Sequence, residues 1–222
     1  ITEAVPPQGY LITGLVRFEF EPSGEYRPLN ALFIIDNQGH IINSYDKSHL
    51  VPFGEYIPLR QFLPDWIRPI TKTVADFKPG SGHKVFRLKN YPSFGALICY
   101  EIIFPSQIIN KKDKPQFLIN LTNDGWYGNS AGPYQHLVTT RLRAAEEGIT
   151  IVRAANTGIS AVISPTGTVI SSLALNFRGI TDVRLPKKLS VPTFYGRYGN
   201  FIPLTFCFMN ILLAFFLKNR LN

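Results

Sequence analysis

Segments rich in strand-forming residues dominate the first half of the chain and predict β-strands. The segment "YLITGLVRFEF" (10–20) is rich in strand-forming residues, and "ALFIIDNQGHIINSY" (31–45) has the pattern of a β-hairpin. Its "DNQG" provides the residues that a hairpin turn needs, with Gly39 able to adopt a positive φ. From Asp46 to Gly82 no regular period is visible. A loop of this length inside a compact domain is usually functional, often a lid.

Short continuous apolar runs mark the predicted strands in the second half of the chain. The runs "FGALI" (94–98) and "QFLINLT" (116–122) are typical of strands covered on both faces. One helix is predicted directly after Cys99. A second is predicted over 133–147, opened by Pro133 and ended by Gly148, and three of its residues share an apolar face: Leu137, Leu142 and Ala145. Further strands are predicted in "HKVFRL" (83–88), "ITIVRAA" (149–155), "GISAVISPTGTVISS" (158–172) and "GITDVRL" (179–185). Mixed strands with intervening helices indicate a layered α/β domain.

The C-terminal region has the composition of a membrane span. Seventeen consecutive residues, Phe201 to Leu217, carry no charge. At ~1.5 Å per residue a helix of this length covers about 26 Å, just enough for a bilayer core. Lys218 and Arg220 follow at once, which predicts a cytoplasmic C-terminus and places the preceding residues outside the cytoplasm. We therefore divide the chain into a catalytic domain, 1–198, and a transmembrane helix with a short tail, 199–222.

The net charge limits the classes of partner that are expected, and the cysteine content limits the disulfide and metal sites. A net charge of +8 favours an anionic partner, either nucleic acid or a lipid surface, although a simply solvated basic surface stays equally open. The basic residues are dispersed, and no nucleic-acid-binding motif is visible, so no nucleic-acid partner is expected. Two cysteines, Cys99 and Cys207, cannot form a disulfide framework or a structural zinc site. No metal site is expected.

Cys99 stands where the apolar run "FGALI" gives way to a helix. A buried structural cysteine is the plain interpretation, because free cysteine packs as a small hydrophobe. The alternative is a nucleophile on a strand-to-helix elbow. There the helix N-terminus would lower the thiol pKa, and backbone N–H groups, including that of Tyr100, could form an oxyanion hole.

A family resemblance favours the nucleophile. The segments "YDKSHLVPFGEYIPL", "ICYEIIFP" and "NLTNDGWYGNSAGPYQHLVTTRLRAAEEG" resemble the nitrilase superfamily, and within it the apolipoprotein N-acyltransferases. "NTGISAVISPTGTV" and "YGRYGNFIPL" continue the match, so it covers essentially the whole chain. The resemblance implies a nitrilase-like α/β/β/α sandwich followed by one C-terminal transmembrane helix. It also implies three catalytic residues, two supporting residues and three residues of a substrate pocket: Cys99 as nucleophile with Lys47 and Glu55; Tyr100 and Glu101; Phe53, Trp126 and Tyr127.

The same resemblance implies an activity, its partners and a location. Cys99 would take an acyl chain from a phospholipid as a thioester and pass it to the N-terminal amino group of a diacylglyceryl-cysteine lipoprotein, without any cofactor. The protein would lie in a bacterial inner membrane, with its catalytic domain in the periplasm.

One departure from the family pattern bears on activity. The general-base glutamate of the family lies on an earlier strand and is followed by a helix, but Glu3 stands only seven residues before Tyr10 and leaves no room for that helix. We therefore expect a sandwich that is incomplete at its N-terminus and a chain with little turnover by itself. Two alternatives stay open: a nitrilase-type amidase acting on small C–N substrates, and a non-enzymatic, truncated membrane-associated remnant.

Overall fold

Two β-sheets packed face to face form the centre of the molecule in a computed structural model. The structure describes residues 3, 5–22, 24–64, 66–70 and 75–221, with the side chains of 219–221 excepted. These ranges leave out residues 65 and 71–74 of the predicted irregular stretch. They also leave out the first residues of the predicted catalytic domain and the last residue of the predicted C-terminal tail.

The smaller sheet is an antiparallel meander of three strands: β1 (Tyr10–Phe20), β2 (Tyr26–Asp36) and β3 (Ile41–Asp46). The predicted hairpin joins β2 to β3, and Gly39 adopts φ 88° in its turn. Among the described residues of the irregular stretch after β3, one short 3₁₀ turn is present, at Arg60–Phe62. The predicted hairpin is confirmed, and the predicted functional role of the irregular stretch stays a prediction.

The larger sheet contains six strands in chain order. They are β4 (Val85–Phe86), β5 (Phe94–Ile98), β6 (Phe117–Asn123), β7 (Thr150–Asn156), β8 (Ser160–Ile163) and β9 (Val169–Leu173). The strands β5, β6 and β7 run parallel, so their carboxyl ends meet at one edge of the sheet. Ligand sites of open α/β sheets form at such an edge.

The core lies in two layers on either side of the larger sheet. Between the sheets, Leu32, Ile34 and Tyr45 pack against Phe94 and its neighbours on β4–β6. On the other side, helix α1 (Gly132–Glu147) covers β5–β8. The described residues thus supply a sheet–sheet–helix stack, three of the four layers that were predicted.

The buried face of α1 differs from the predicted one. Of the three predicted residues, Leu142 is exposed, whereas Leu137 packs against the core and Ala145 is partly buried. The fully buried positions include His136, Thr140, Arg143 and Ala144, so polar groups occupy most of the inner face and a search for apolar periodicity finds only its edge. Gly148 ends the helix at φ 64°, as predicted.

Three further expectations were wrong. A five-residue 3₁₀ turn, Cys99–Ile103, replaces the helix predicted after Cys99. The strand predicted in "HKVFRL" is reduced to the two residues of β4. The segment "GITDVRL" forms no strand, and Ile180 is 89% exposed. β-forming residues without a neighbouring strand edge do not make a strand.

The C-terminal residues form α2 (Phe194–Tyr198) and α3 (Phe201–Leu221). Within α3, the window Phe201–Lys218 is long and apolar enough to cross a membrane, and none of it is buried against the rest of the chain. The division of the chain at residue 198 stays a prediction.

Candidate active site

Cys99 lies on a strained elbow directly after β5. It adopts φ 51°, a left-handed conformation that costs a non-glycine residue about 1–3 kcal/mol. The 3₁₀ turn Cys99–Ile103 starts there, and the cysteine is half-buried. A sharp turn between a strand and a helical turn presents a side chain at the carboxyl edge of the sheet, as in hydrolases that carry their nucleophile on such an elbow.

Glu101 fixes this elbow against the loop after β3. Its Oε1 accepts hydrogen bonds from the Tyr45 hydroxyl (2.8 Å), the Ser48 N–H (2.8 Å) and hydroxyl (2.9 Å), and the His49 N–H (3.0 Å). Its Oε2 accepts from the Ile98 N–H at 2.7 Å. Burial and the neighbouring Glu101 charge raise the pKa of Tyr45 well above its usual range, so the phenol stays a donor. Glu101 therefore acts through hydrogen bonds that hold two segments together.

Lys47 and Glu55 form a buried ion pair on the loop that Glu101 holds. The Nζ of Lys47 lies 2.6 Å from Oε2 of Glu55, and the lysine is 1% exposed. The Val51 N–H donates to the same oxygen at 2.8 Å, and the Asn30 amide donates to Oε1 at 3.1 Å. A buried charge pair persists only when its remaining hydrogen-bonding positions are also filled. Here the carboxylate holds the ammonium in one place.

A large cavity joins these residues. Its volume is about 1130 Å³, and it lies at the carboxyl ends of β5–β7 beneath β1. Cys99, Lys47 and Glu55 all line it. Tyr100, Trp126 and Tyr127 line it too, whereas Phe53 is not among the lining residues and its side chain is 55% exposed. Glu101 lines a smaller cavity behind the elbow, of about 300 Å³.

Two tyrosines and a histidine pack beside the elbow. The rings of Tyr100 and Tyr127 lie 6.4 Å apart, and His136 lies 5.5 Å from the first and 6.2 Å from the second, measured between ring centres. Burial, together with the hydrogen bond to Tyr100, raises the pKa of Tyr127 well above its usual range. The Tyr127 phenol is therefore a neutral hydrogen-bonding group on the cavity wall.

A second set of buried polar residues, which sequence reasoning missed, lies under this wall. We call Asn120, Asp124, His136 and Arg153 the strand network. Arg153 donates to Oδ2 of Asp124 at 2.6 Å and to Oδ1 of Asn120 at 2.8 Å, and Nδ1 of His136 lies 2.9 Å from Oδ1 of Asp124. Gly158 packs so closely on the Asp124 carboxylate that a Cβ there would collide with it.

In the strand network, the buried charges of Asp124 and Arg153 compensate each other. Burial acts to raise the pKa of Asp124, but His136 and Arg153 together hold it below its usual range. Burial lowers the pKa of Arg153, against the opposing influence of Asp124. Asn120 extends the network to the elbow, since its amide lies 3.4 Å from the Cys99 carbonyl. Within the described residues, no group of three or more His, Cys, Asp or Glu side chains could hold a metal ion.

Cys99, Lys47 and Glu55 thus lie at one cavity. The sequence profile of one family covers the region that contains them. The carbon-nitrogen hydrolase profile matches residues 5–190. The chain belongs to the carbon-nitrogen hydrolase family. This agrees with the nitrilase-superfamily resemblance of the motifs around Lys47 and Cys99.

Curated relatives within this family are apolipoprotein N-acyltransferases. The chain is 42% identical to that of Bradyrhizobium diazoefficiens over 96% of its own length, and 41% identical to that of Rhodopseudomonas palustris over 99%. A third relative, from Rickettsia typhi, is 39% identical over 88% of the chain. The chain spans only about two fifths of the length of these relatives, 40%, 41% and 40% respectively.

Solved structures confirm the nitrilase-like fold. The NitN amidase from Nesterenkonia sp. AN1 matches with a TM-score of 0.52 and 21% identity, over 76% of this chain and 60% of the amidase. Another structure of that amidase matches at a TM-score of 0.51 and 21% identity, over 76% of this chain and 58% of the amidase; it carries the acetamide moiety of fluoroacetamide added covalently at its active-site cysteine. At this identity the likeness shows the fold alone.

Proposed function

We propose that the chain carries the acyl-transfer chemistry of an apolipoprotein N-acyltransferase. The Cys99 thiolate attacks the ester carbonyl of a phospholipid, a C–S bond forms, and the C–O bond breaks to release a lysophospholipid, which takes up the proton that the thiol has lost. The amino group of a diacylglyceryl-cysteine lipoprotein then attacks the thioester. A C–N bond forms, the C–S bond breaks, and the proton lost by the amine returns to the sulfur, so that an amide is released and the Cys99 thiol is regenerated. No oxidant, metal or organic cofactor is needed for either step.

The observation that carries this proposal is the convergence of a strained cysteine and a buried ion pair on one cavity. Lys47 supplies a fixed positive charge for the oxyanion that develops when Cys99 attacks a carbonyl. Glu55 is occupied by three donors, so we assign it to holding Lys47 rather than to taking the thiol proton. Tyr100 and Glu101 support the elbow.

The size and wall of the cavity favour a lipid over a small amide. A volume of about 1130 Å³ exceeds the ~300–1,000 Å³ typical of small-molecule pockets. Apolar side chains from both sheets, including Ile12, Leu15, Ile98 and Leu121, form much of its wall. Such a wall suits an acyl chain, whereas the amidase alternative needs only a small polar pocket.

An acyl-transfer chase tests this function against the amidase alternative. The full chain is loaded with acyl-labelled phospholipid and then exposed either to water or to a synthetic diacylglyceryl-cysteine peptide. We expect slow loading, with label that is stable in water and is transferred to the peptide amine. Rapid loss to water as free acid, with no peptide product, would instead identify a hydrolase. Absence of any loading, with the fold intact, would support the non-enzymatic remnant.

The proposed location is a bacterial inner membrane, with α3 crossing it and the catalytic domain in the periplasm. The exposed apolar window Phe201–Lys218 supports the crossing, and the basic residues Lys218 and Arg220 support a cytoplasmic end. A reporter active only in the cytoplasm, fused after Asn222, should be active. Activity of a periplasm-specific reporter at the same position would reverse the orientation and remove the lipoprotein substrate from the site.

A further inference from the structure

Chain segments that carry exposed basic side chains, although distant from one another in the sequence, meet near the start of α3. We call this set the cationic collar, and it consists of Lys111, Lys112, Lys114, Lys187, Lys188 and Arg197. All six are exposed, and none takes part in an ion pair among the described residues. The collar accounts for part of the +8 net charge, which the proposed acyl-transfer chemistry does not require.

Tertiary contacts bring these residues to one place. The Nζ of Lys111 lies against Gly199, two residues before α3, since a Cβ built on that glycine would be 3.3 Å from it. Lys188 donates to the Pro115 carbonyl at 3.4 Å, which joins the segment 187–189 to the segment 111–115. The Leu189 N–H donates to Gly148 at 2.9 Å, so both segments meet at the end of α1.

Little negative charge opposes the collar. Asp113 is paired with Arg87 at 2.6 Å, and Glu146 is paired with Arg143 at 2.7 Å. Glu147 is the remaining acidic group here; burial raises its pKa, against the opposing influence of Lys114 and Lys111. The patch is therefore strongly positive at neutral pH.

Aromatic side chains lie at the same level as the collar. Phe194, Tyr198 and Phe201 are 69%, 46% and 71% exposed, and they flank the point where α3 begins. Aromatic residues with lysine and arginine beside an apolar helix are the usual composition of a membrane–water interface. The collar is thus continuous with the segment proposed to enter the bilayer, which favours lipid phosphate over nucleic acid.

We propose that the cationic collar binds the headgroups of anionic phospholipids in the leaflet where α3 enters the membrane. This inference rests on the proposed membrane location but not on the chemistry of Cys99. Lysine or arginine near an anionic leaflet contributes about 1 kcal/mol each, and several such contacts would fix the height of the catalytic domain above the bilayer. The headgroups would be bound by charge, and the acyl donor in the cavity need not be the same lipid.

The test measures the selectivity of the full chain for lipid headgroups after reconstitution in phosphatidylcholine vesicles. Spin-labelled phosphatidylglycerol and spin-labelled phosphatidylcholine are compared by the fraction of each that is immobilised by the protein. The variant Lys112→Gln/Lys187→Gln removes two collar charges whose side chains form no hydrogen bond or ion pair with the described residues. The control Arg27→Gln/Lys84→Gln removes two charges beside the three-stranded sheet and has the same net charge.

We expect the wild type to prefer phosphatidylglycerol, with a preference that weakens as salt is added. The collar variant should lower that preference by about tenfold, while the control retains it. Equal association of both lipids with an inserted wild type, or equal losses in both variants, would overturn the collar. Oligonucleotide binding that is lost in the collar variant, together with no phosphatidylglycerol preference in the wild type, would assign the collar to nucleic acid and overturn it. A chain that fails to float with the vesicles would instead refute the proposed membrane location.

Discussion

Two buried ion pairs flank Cys99, and they differ in what surrounds them. Lys47 and Glu55, on the loop after β3, lie 2.6 Å apart and line the large cavity. Asp124 and Arg153, on the other side of the elbow, are also 2.6 Å apart, but neither lines that cavity. Similar geometry therefore serves different purposes. The first pair presents a charge to a substrate, and the second joins β6, β7 and α1.

The difference teaches how buried charge should be interpreted. Breaking a buried pair is costly when its partner has no other compensation, and less so when water or a substrate can reach the group left behind. Glu55 borders the cavity, whereas Asp124 is enclosed by Arg153, His136 and Gly158. Substitutions in the loop pair should therefore reduce chemistry, and substitutions in the strand network should reduce stability.

The largest effect is expected from Arg153→Met. Loss of the guanidinium leaves Asp124 buried with an uncompensated charge, so the free energy of unfolding should fall by about 3–5 kcal/mol. Denaturant unfolding of the full chain in detergent measures it, with Arg178→Met at an exposed position as control. Adding Asp124→Asn should restore part of the loss. An Arg153→Met variant as stable as the control would show that the network does not hold the fold.

Lys47→Arg should reduce acylation of Cys99 by about 10²–10³-fold, because a planar guanidinium does not replace a compact ammonium beside an oxyanion. Its denaturant midpoint should fall much less than that of Arg153→Met. The rate of label incorporation from acyl-labelled phospholipid measures the first effect, with Lys78→Arg as the matched control. Normal acylation in Lys47→Arg would contradict the role of this pair.

Glu101→Gln should affect both regions, because Glu101 connects the elbow to the loop of Lys47. An amide cannot accept all five hydrogen bonds, so a loss of about 1.5–3 kcal/mol is expected, together with slower acylation. Tyr45→Phe removes one donor only and should cost about 1 kcal/mol. If Glu101→Gln changed the unfolding free energy no more than Tyr45→Phe, the bridging role would be wrong.

The smallest effect concerns pH. Asp124 has a pKa below its usual range in the folded state, so its contribution to stability is complete above the unfolded value of about 3.9 and is lost as pH falls through the folded value. Asp124→Asn should therefore flatten the dependence of unfolding free energy on pH below about pH 4. The slopes of wild type and variant, compared between matched denaturant titrations, check this. Identical slopes would mean that Asp124 does not titrate as a stabilised carboxylate.

The sequence predicted the strands and the loop pair for different reasons. Strand-forming composition and the turn residues of "DNQG" predicted β1–β3, because both signals are local in the sequence. Lys47, Glu55 and Cys99 were selected through family motifs, and nothing in local pattern shows that an isolated lysine after a strand will be 1% exposed. Burial of that kind depends on a partner eight residues away in an irregular loop.

Two features of the sequence point to the strand network, but neither is a repeat of apolar residues. Arg153 interrupts the otherwise apolar "ITIVRAA", and Asp124 follows directly on a buried strand. A charged residue inside a buried strand needs a partner, and the carboxyl end of the adjacent parallel strand is where one can lie. Nothing in the sequence singles out His136, because its position on the inner face of α1 depends on the tertiary fold.

The most direct test of the account is to identify the atom that carries the acyl group. The full chain is incubated with acyl-labelled phospholipid, and the peptides are mapped by mass with and without neutral hydroxylamine, which cleaves thioesters. We predict a single hydroxylamine-sensitive acyl group on the peptide containing Cys99, absent from Cys99→Ala and retained in Cys207→Ser. An acyl group on Cys207, or equal labelling of Cys99→Ala, would contradict the assignment of Cys99 as the nucleophile.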